Sequence, residues 1–287
     1  MAALHDVAEM LFTPSAPVLF LGVLFILGAP ILLHLLLSSS ITYTVAPTIM
    51  LMGPENAGKT SLLTLLERGN EPAETHSSQV SQTVELSAST DAKLKTSYRN
   101  HDDTTGTYTK FLLNDTPGHG KLRNMAIASL SKIEKLKGIV FMVDAAALGE
   151  RDSLGPTAAF LYDVLLYLQK ATNNSGKARV IPSVLIAANK MDLFTALPVH
   201  IVRKQLENEL THLRTTKSKA LLDSGVGADE IGSEEQDSWL GRYGAEKFTF
   251  EQMMEFKIDV EIMGGSVTVD EPGINEWWWW MAQRIGG

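Results

Sequence analysis

Short apolar runs alternate with amphipathic stretches along most of the chain. The apolar runs, which predict strands buried on both faces, are residues 49–52, 111–113, 139–143, 184–188 and 258–263. Between them, apolar residues recur at helical spacing, as in residues 160–168 and 199–213. The alternation predicts an α/β domain with a mostly parallel central sheet and helices on both faces, to which residues 86–108 would add one or two edge strands.

An uncharged apolar run near the N-terminus, residues 16–37, stands apart from this pattern. As a helix it would rise about 33 Å, enough to cross a hydrocarbon core of about 30 Å. Its length and the lack of a basic segment before it favour a membrane anchor over a cleaved signal peptide, and its glycines and proline disfavour a buried core helix. We therefore expect a tail over residues 1–15, a transmembrane helix over 16–37, a tether over 38–46 and a folded domain over 47–287.

One late segment interrupts the alternation. Residues 217–247 are rich in Gly, Ser, Asp and Glu and show little periodicity. We interpret them as a surface insertion that is largely disordered, the alternative being an ordered loop that clasps something. Residues 274–285 then predict a last helix. Its apolar residues form one stripe that would face the core, and Trp279 and Trp280 fall outside this stripe. These two rings would be partly covered by a loop or would contact a partner or a membrane interface.

Composition narrows the function classes. The net charge is −8, from 33 acidic and 25 basic residues, which argues against a nucleic-acid-binding protein and gives no reason to expect attraction to an anionic lipid surface. The absence of cysteine excludes disulfides, zinc–thiolate sites and thiol catalysis. No direct contact with nucleic acid is therefore expected.

The first loop between a predicted strand and a predicted helix reads GPENAGKT, residues 53–60. Strand, G-x-x-x-x-G-K-[ST] and helix in this order predict a phosphate-binding loop. Its glycines let the backbone curl so that several N–H groups point at phosphate oxygens, and the helix adds its positive end. Lys59 would reach the β- and γ-phosphates, and the Thr60 hydroxyl would bind Mg²⁺. The residues expected at the nucleotide here are Gly53, Glu55, Asn56, Ala57, Gly58, Lys59, Thr60 and Ser61.

Two further motifs follow predicted strands. D-T-P-G places Asp115 where a carboxylate holds Mg²⁺, usually through water, and gives Gly118 an N–H that can meet a γ-phosphate. N-K-M-D selects guanine, because the Asp192 carboxylate accepts from N1–H and N2–H₂ groups that adenine lacks on that edge. Asn189 and the stem of Lys190, which would pack over the base, belong to the same site. The three motifs together predict GTP and Mg²⁺ as ligands.

Three assignments depend on weaker signals. Ser266 and Val267 follow the last predicted strand, where a backbone N–H would meet the guanine O6. Thr83 would complete the Mg²⁺ coordination when a γ-phosphate is bound, although other threonines lie nearby. His119, directly after D-T-P-G, could orient an attacking water. Because the sequence places no arginine at the γ-phosphate, slow hydrolysis is the expectation.

The set of motifs resembles the small GTPases, and within them the Arf and Sar branch. Three further features resemble the β subunits of the signal recognition particle receptor: the N-terminal span, His119 after D-T-P-G, and the stretches FLYDVLL and LENELTHLRTTKS. The pair Gln82-Thr83 also matches the switch of that family, which favours Thr83 among the threonines. The resemblance covers residues 16–285, but Gly265-Ser266-Val267 replaces the usual Ser-Ala loop, and residues 217–247 match no motif.

The resemblance implies a GTP-binding subunit held in the endoplasmic reticulum membrane by one span, with its GTPase domain in the cytosol. In this family the GTP-bound form holds the N-terminal domain of the receptor α subunit, which receives ribosomes carrying secretory chains. The alternative is an Arf- or Sar-like switch in vesicle traffic. Such proteins attach by an amphipathic or lipidated N-terminus, unlike the uncharged span of residues 16–37.

Overall fold

The chain forms two compact units, Met1–Val45 and Ala46–Gly287. The computed structural model describes residues 16–38, 45–69, 75–76, 78–89, 108–174, 182–223, 239–268 and 273–286. The described part of the first unit is the helix α1 (Ala16–Ser38) with Val45, and large apolar side chains of α1 such as Phe20 and Phe25 are exposed. Judged on the described side chains, no helix offers an apolar stretch long enough to cross a membrane.

The second unit alternates strands and helices. Its strands are β1 (Thr48–Met52), β2 (Gln82–Ser89), β3 (Tyr108–Asp115), β4 (Leu136–Asp144), β5 (Ser183–Asn189) and β6 (Val260–Gly264). Its α-helices are α2 (Lys59–Arg68), α3 (Arg123–Lys132), α4 (Arg151–Asn174), α5 (Val199–Asp223) and α6 (Asn275–Gly286). Short 3₁₀ segments cover Gly120–Leu122, Ala147–Gly149 and Phe250–Phe256.

The six strands form one sheet in the order β2-β3-β1-β4-β5-β6. Only β2 and β3 pair antiparallel, and the other neighbours are parallel. The prediction of a mostly parallel sheet is therefore confirmed. The region predicted to hold edge strands supplies β2, which begins at Gln82, and residues 90–107 lie outside the described part. Since β1, β3, β5 and β6 all run the same way, the loops that follow them meet at one edge of the sheet.

Helices cover both faces of the sheet because alternate strand residues point to opposite sides. In β1, Met50 and Met52 belong to the core layer that contains residues of α3, α4 and α5. Ile49 and Leu51 belong to the other layer, with residues of α2 and α6. All four side chains are fully buried. The strand that precedes the predicted phosphate loop is thus fixed from both sides.

Residues 217–247 differ from the predicted disordered insertion at both ends. α5 continues to Asp223, so the first part is helical. The structure describes the chain again from Trp239 onward, and residues 224–238 lie outside the described part. Residues 239–247 therefore have a defined conformation, and the disordered insertion stays a prediction for residues 224–238.

This returning segment is fastened to α4 and α5 by two polar side chains. Gln169 donates from Nε2 to the Trp239 carbonyl at 3.0 Å and accepts from the Gly241 N–H at 2.8 Å. The buried Arg214 guanidinium stacks 4.5 Å from the Trp239 ring centre and donates to the carbonyl of Leu240. Between these contacts the Leu240 side chain is fully buried. Long-range hydrogen bonds thus supply the order that local composition does not predict.

The last helix, α6, buries one of the two tryptophans that were predicted to lie outside its apolar stripe. Trp280 is buried, and its Nε1 donates to Glu261 Oε1 at 2.7 Å. A methyl group at Gly138 of β4 would lie 3.0 Å from the Trp280 ring, so the ring would have to shift by a few tenths of an ångström to admit one. Trp279 is partly exposed. Of the two rings expected outside the stripe, one therefore belongs to the core.

The packing of residues 239–247 can be tested with Leu240→Ala. We expect it to lower the free energy of unfolding by about 2–5 kcal/mol, because a fully buried leucine leaves a cavity. Lys247→Ala, at an exposed position of the same segment, should change it by less than about 0.5 kcal/mol. Urea unfolding of the detergent-solubilised chain, followed by circular dichroism, measures both. Equal effects would contradict the packed segment.

Candidate nucleotide-binding site

A cleft of about 390 Å³ opens at the edge of the sheet where the parallel strands end. This volume lies within the range of roughly 300–1,000 Å³ found for small-molecule sites. The predicted site residues that line it are Glu55, Asn56, Gly58, Lys59, Thr60, Ser61, Gly118, His119, Asn189 and Lys190. Motifs that are more than 130 residues apart in sequence, as Ala57 and Asn189 are, are thus brought together by strand order.

The phosphate-loop glycines are required by close backbone approaches. Gly53 has φ of 133°, and a Cβ there would lie 2.2 Å from the Met142 carbonyl oxygen. Gly58 has φ of 94°, and a Cβ there would lie 2.3 Å from Asn189 Nδ2. Any side chain would be strained at both positions and would push the loop off the neighbouring strands. α2 begins directly after Gly58, so its positive end faces the cleft.

Lys59 lies almost wholly inside this loop. Its Nζ donates to the carbonyl oxygens of Gly53 and Pro54 at 3.0 and 2.6 Å. Burial lowers its pKa to about 8, although Asp115 and Glu55 oppose the shift. Among the described residues the ammonium group has no hydrogen-bonded anionic partner, and an anion in the cleft would supply one.

The D-T-P-G loop lies directly against the phosphate loop. A Cβ on Gly118 would come within 2.5 Å of Lys59 Nζ and 2.7 Å of the Glu55 nitrogen. Glycine is therefore the residue that allows this approach. A phosphate bound at Lys59 would also meet Gly118, so the second loop is placed to respond to what the first one binds.

Oxygen donors beside the loop suit a hard divalent cation. Thr60 Oγ1 donates to Asp115 Oδ2 at 2.6 Å, and Ser78 Oγ lies 2.9 Å from the same hydroxyl. Asp115 is fully buried; burial raises its pKa, and its Oδ1 has no hydrogen-bond partner among the described residues. Hydroxyl and carboxylate oxygens fit Mg²⁺. No group of three or more His, Cys, Asp or Glu side chains in the described ranges could hold a metal. In nucleotide sites Mg²⁺ generally keeps several waters and takes phosphate oxygens beside one or two protein ligands.

One amide connects the phosphate loop with the opposite side of the cleft. Asn189 Nδ2 donates to the Ala57 carbonyl at 2.9 Å, and its Oδ1 accepts from the Val267 N–H at 3.2 Å. Ser266 Oγ donates to Asp192 Oδ1. The loop after β6 thus packs on the N-K-M-D motif, as its position in sequence suggests. Of the backbone donors in this loop, the Val267 N–H is engaged with Asn189, and a contact between the loop and the guanine O6 stays a prediction.

Lys190 is fixed by a partner that sequence analysis did not single out. Its backbone has φ of 65°, in the left-handed region, and its Nζ lies 2.5 Å from Asp144 Oδ2. Asp144 ends β4, the strand next to β5. The sequence shows an acidic residue at the end of a predicted strand. Only the order of the strands in the sheet reveals that this residue lies beside Lys190. The pair holds the lysine stem along the cleft wall.

Comparison with known proteins identifies the group to which this architecture belongs. The model for the signal recognition particle receptor beta subunit family matches residues 44–257. The chain belongs to this family. The β subunit from Saccharomyces cerevisiae is 27% identical over 242 residues, which are 83% of this chain and 84% of that protein. The human β subunit is 34% identical over 178 residues, 59% of this chain and 56% of that protein.

Solved β subunits share the fold as well. The SRb-GTP/SRX complex from Chaetomium thermophilum is similar with a TM-score of 0.69 and 40% identity, over 83% of this chain and 100% of that chain. The SRb-GDP-Mg structure from the same organism has a TM-score of 0.61 and 39% identity, over 85% and 99%. The resemblance deduced from the motifs is confirmed, and this family is favoured over the Arf and Sar alternative.

Thr83, the predicted switch ligand of this β-subunit family member, is not brought to the cleft. It lies in β2 opposite Asn114 of β3, and its side chain is exposed. The continuous pairing of β2 with β3 carries it along the sheet edge. Thr75 and Ser78 line the cleft instead, and Thr75 Oγ1 lies 3.0 Å from Ser61 Oγ. Sequence alone could not select among these hydroxyls, because a single hydroxyl has no spacing rule.

His119 lies exposed at the rim of the cleft. Its Nδ1 accepts from the Lys121 N–H at 3.2 Å and so caps the short turn Gly120–Leu122. An accepting Nδ1 carries no proton, which leaves the Nε2–H as the donor of the ring. The residue is held where the D-T-P-G loop turns into α3.

The low pKa of Lys59 predicts a pH-dependent stability. Its pKa falls from the ordinary 10.5 to about 8 in the folded chain. Between about pH 8 and 10.5 the unfolded chain therefore binds this proton more strongly than the folded chain does. Stability should therefore rise with pH from about 8 to 10.5, by at most about 1.4 kcal/mol per pH unit. Lys59→Met should lack this component. Urea unfolding of both proteins across this pH range gives the difference, and parallel profiles would contradict the buried ammonium.

Proposed function

We propose that this chain is a membrane-anchored, GTP-binding β subunit of a signal recognition particle receptor. It would hold the receptor α subunit at the endoplasmic reticulum in a GTP-dependent way, for co-translational targeting. The observation that carries the proposal is the convergence of the phosphate loop, D-T-P-G, N-K-M-D and the loop after β6 on one cleft, in a chain of this family. The similar Chaetomium proteins were solved as SRb-GTP/SRX and SRb-GDP-Mg complexes.

GTP and Mg²⁺ are the ligands that this cleft suits. The phosphates would lie at the N-terminus of α2, with Lys59 as their buried counter-charge. Thr60 and Asp115 would hold Mg²⁺, which neutralises phosphate charge when bound. At the other end, Ser266 holds the Asp192 carboxylate that would accept from the guanine N1–H and N2–H₂ groups. Charge at one end and hydrogen-bond pattern at the other would together select a guanine nucleotide.

The surface that we propose for the partner consists of exposed apolar residues near the position expected for the γ-phosphate. Gly118 approaches Lys59 within contact distance, and the next helix, α3, exposes Met125 at 66%. Val80, exposed at 79%, lies between the cleft residue Ser78 and β2. A γ-phosphate that orders these two segments would change an apolar surface that the N-terminal domain of the α subunit could bind. Binding would thus depend on the phosphate rather than on its hydrolysis.

Anchoring to the membrane would be the role of residues 16–37. This run has no Asp, Glu, Lys or Arg, and it lies within α1, whose large apolar side chains are exposed. Nucleotide triphosphates are cytosolic, so the second unit would face the cytosol. We expect turnover to be slow at most, with His119 oriented by Lys121 near the cleft as the residue to contact water.

The base preference can be tested with Asp192→Asn. The swapped amide donates where the carboxylate accepted, so GTP affinity should fall by about 10–100-fold while that for xanthosine triphosphate rises. Asp152→Asn, at an exposed position of α4, should change neither. Titration with fluorescent analogues of both nucleotides measures this. Unchanged GTP binding would remove Asp192 from the base site.

The partner surface can be tested by capture of the α-subunit N-terminal domain on the full chain. We expect capture with a non-hydrolysable GTP analogue and little with GDP. Met125→Glu should reduce capture at least about tenfold, since it places a charge in an apolar contact, while nucleotide affinity stays unchanged. Met254→Glu, also exposed but distant in sequence, is the control. Equal capture in both nucleotide states would leave a constitutive anchor and refute the switch.

A further inference from the structure

A second cavity lies at the opposite edge of the sheet from the nucleotide cleft. Its volume is about 580 Å³, again within the roughly 300–1,000 Å³ range of ligand sites. Pro47 and Pro182 directly precede β1 and β5, Leu136 begins β4, and all three line it. Ile285, near the end of α6, closes one side. The cavity is therefore built where β1, β4 and β5 begin, whereas the phosphate loop follows the end of β1.

The interior of this cavity is apolar. Leu130 of α3 and Leu168 of α4 contribute to its floor, and both are almost fully buried within the domain. Tyr167 and Ala171 of α4 are partly exposed and form part of its mouth. A hydrocarbon group that entered would lie against these buried leucines and would cover the exposed parts of Tyr167 and Ala171, which removes apolar surface from water.

The rim of the cavity is basic although the chain as a whole is acidic. Lys135 and Lys137 line it, and Glu134 is the acidic residue of its lining. Lys132 and Lys170 are close in sequence to lining residues, and both are exposed. This rim therefore has the opposite sign to the net charge of −8. An apolar floor and a cationic rim fit a molecule with a hydrocarbon tail and an anionic head.

The chain itself limits how far this rim can be from the bilayer. Residues 39–46 connect the end of α1 to Pro47, which lines the cavity. Eight residues span at most about 30 Å when fully extended. If α1 is held in a membrane, the cavity lies within that distance of lipid headgroups.

We propose that this cavity takes an acyl chain of an anionic phospholipid from the membrane that anchors the chain. Lys135 and Lys137 would contact the headgroup while the hydrocarbon lies against Leu130 and Leu168. The inference depends on the proposed membrane anchoring, and it adds a second, lipid-dependent attachment of the GTPase domain. A lipid in this cavity would leave the nucleotide cleft and the exposed Met125 of α3 free for the partner.

Photolabelling tests this proposal on the full chain in vesicles. The vesicles contain phosphatidylcholine and a small fraction of phosphatidylserine with a diazirine at the end of one acyl chain. After irradiation, mass spectrometry locates the label. We expect label on residues 16–38 and, separately, on Tyr167, Leu130 or Ile285. With the same diazirine chain on phosphatidylcholine, cavity label should fall about tenfold while label on residues 16–38 stays the same.

Two pairs of variants sharpen the result. Lys135→Glu/Lys137→Glu should lower cavity label about tenfold, whereas Lys204→Glu/Lys247→Glu, with the same change in net charge at exposed positions, should not. Ala171→Phe should fill the mouth and abolish cavity label, whereas Ala128→Phe at an exposed position of α3 should not. GTP binding by each variant, measured at the opposite edge, shows that it is folded.

The outcomes separate the cavity from the anchor. Failure of the chain to float with vesicles, with no label on residues 16–38, would refute the anchoring on which the proposal depends. Flotation with label on residues 16–38 alone would leave the anchor intact and refute the cavity. Equal cavity label from both lipids, unaffected by the lysine changes, would refute recognition of an anionic head.

Discussion

The Asn189 side-chain amide is the interaction on which the nucleotide cleft depends. Its donor end holds the phosphate loop at Ala57, and its acceptor end holds the last loop at Val267. Gly58 has no side chain because that amide lies against it. Three segments that are brought together only by strand order are thus fixed by one residue. Losing either end of the amide would leave a buried polar group unsatisfied, which costs about 1–3 kcal/mol.

The cleft is preorganised at the expense of local electrostatic stability. Lys59 and Asp115 are both buried. Burial lowers the pKa of Lys59 and raises the pKa of Asp115, so it favours the neutral form of each side chain. Asp115 keeps one oxygen without a partner among the described residues, and Lys59 is solvated by backbone carbonyls. A phosphate and a cation entering together would satisfy both, which explains why such groups are kept inside a fold.

Much of this arrangement could be predicted from sequence, because its signals are local. Apolar runs gave the strands, although β3 extends to Tyr108 beyond its apolar part, where Lys110 pairs with Glu85 of β2 at 2.8 Å. Glycine and lysine at fixed spacing gave the phosphate loop. The contacts that were missed join distant residues: Asp144 with Lys190, and Arg214 with the segment after Trp239. Composition describes a segment's own preferences and contains no information about the side chains that will meet it.

The packing of α6 against Gly265 links the last helix to nucleotide recognition. A Cβ on Gly265 would lie 2.6 Å from the Trp277 ring, and the Trp277 indole donates to the Met263 carbonyl at 3.3 Å. The terminal helix is therefore a brace for the loop that carries Ser266. Because the same helix also covers Ile49 and Leu51 of β1, the strand that leads into the phosphate loop, its loss would loosen base recognition and phosphate binding together.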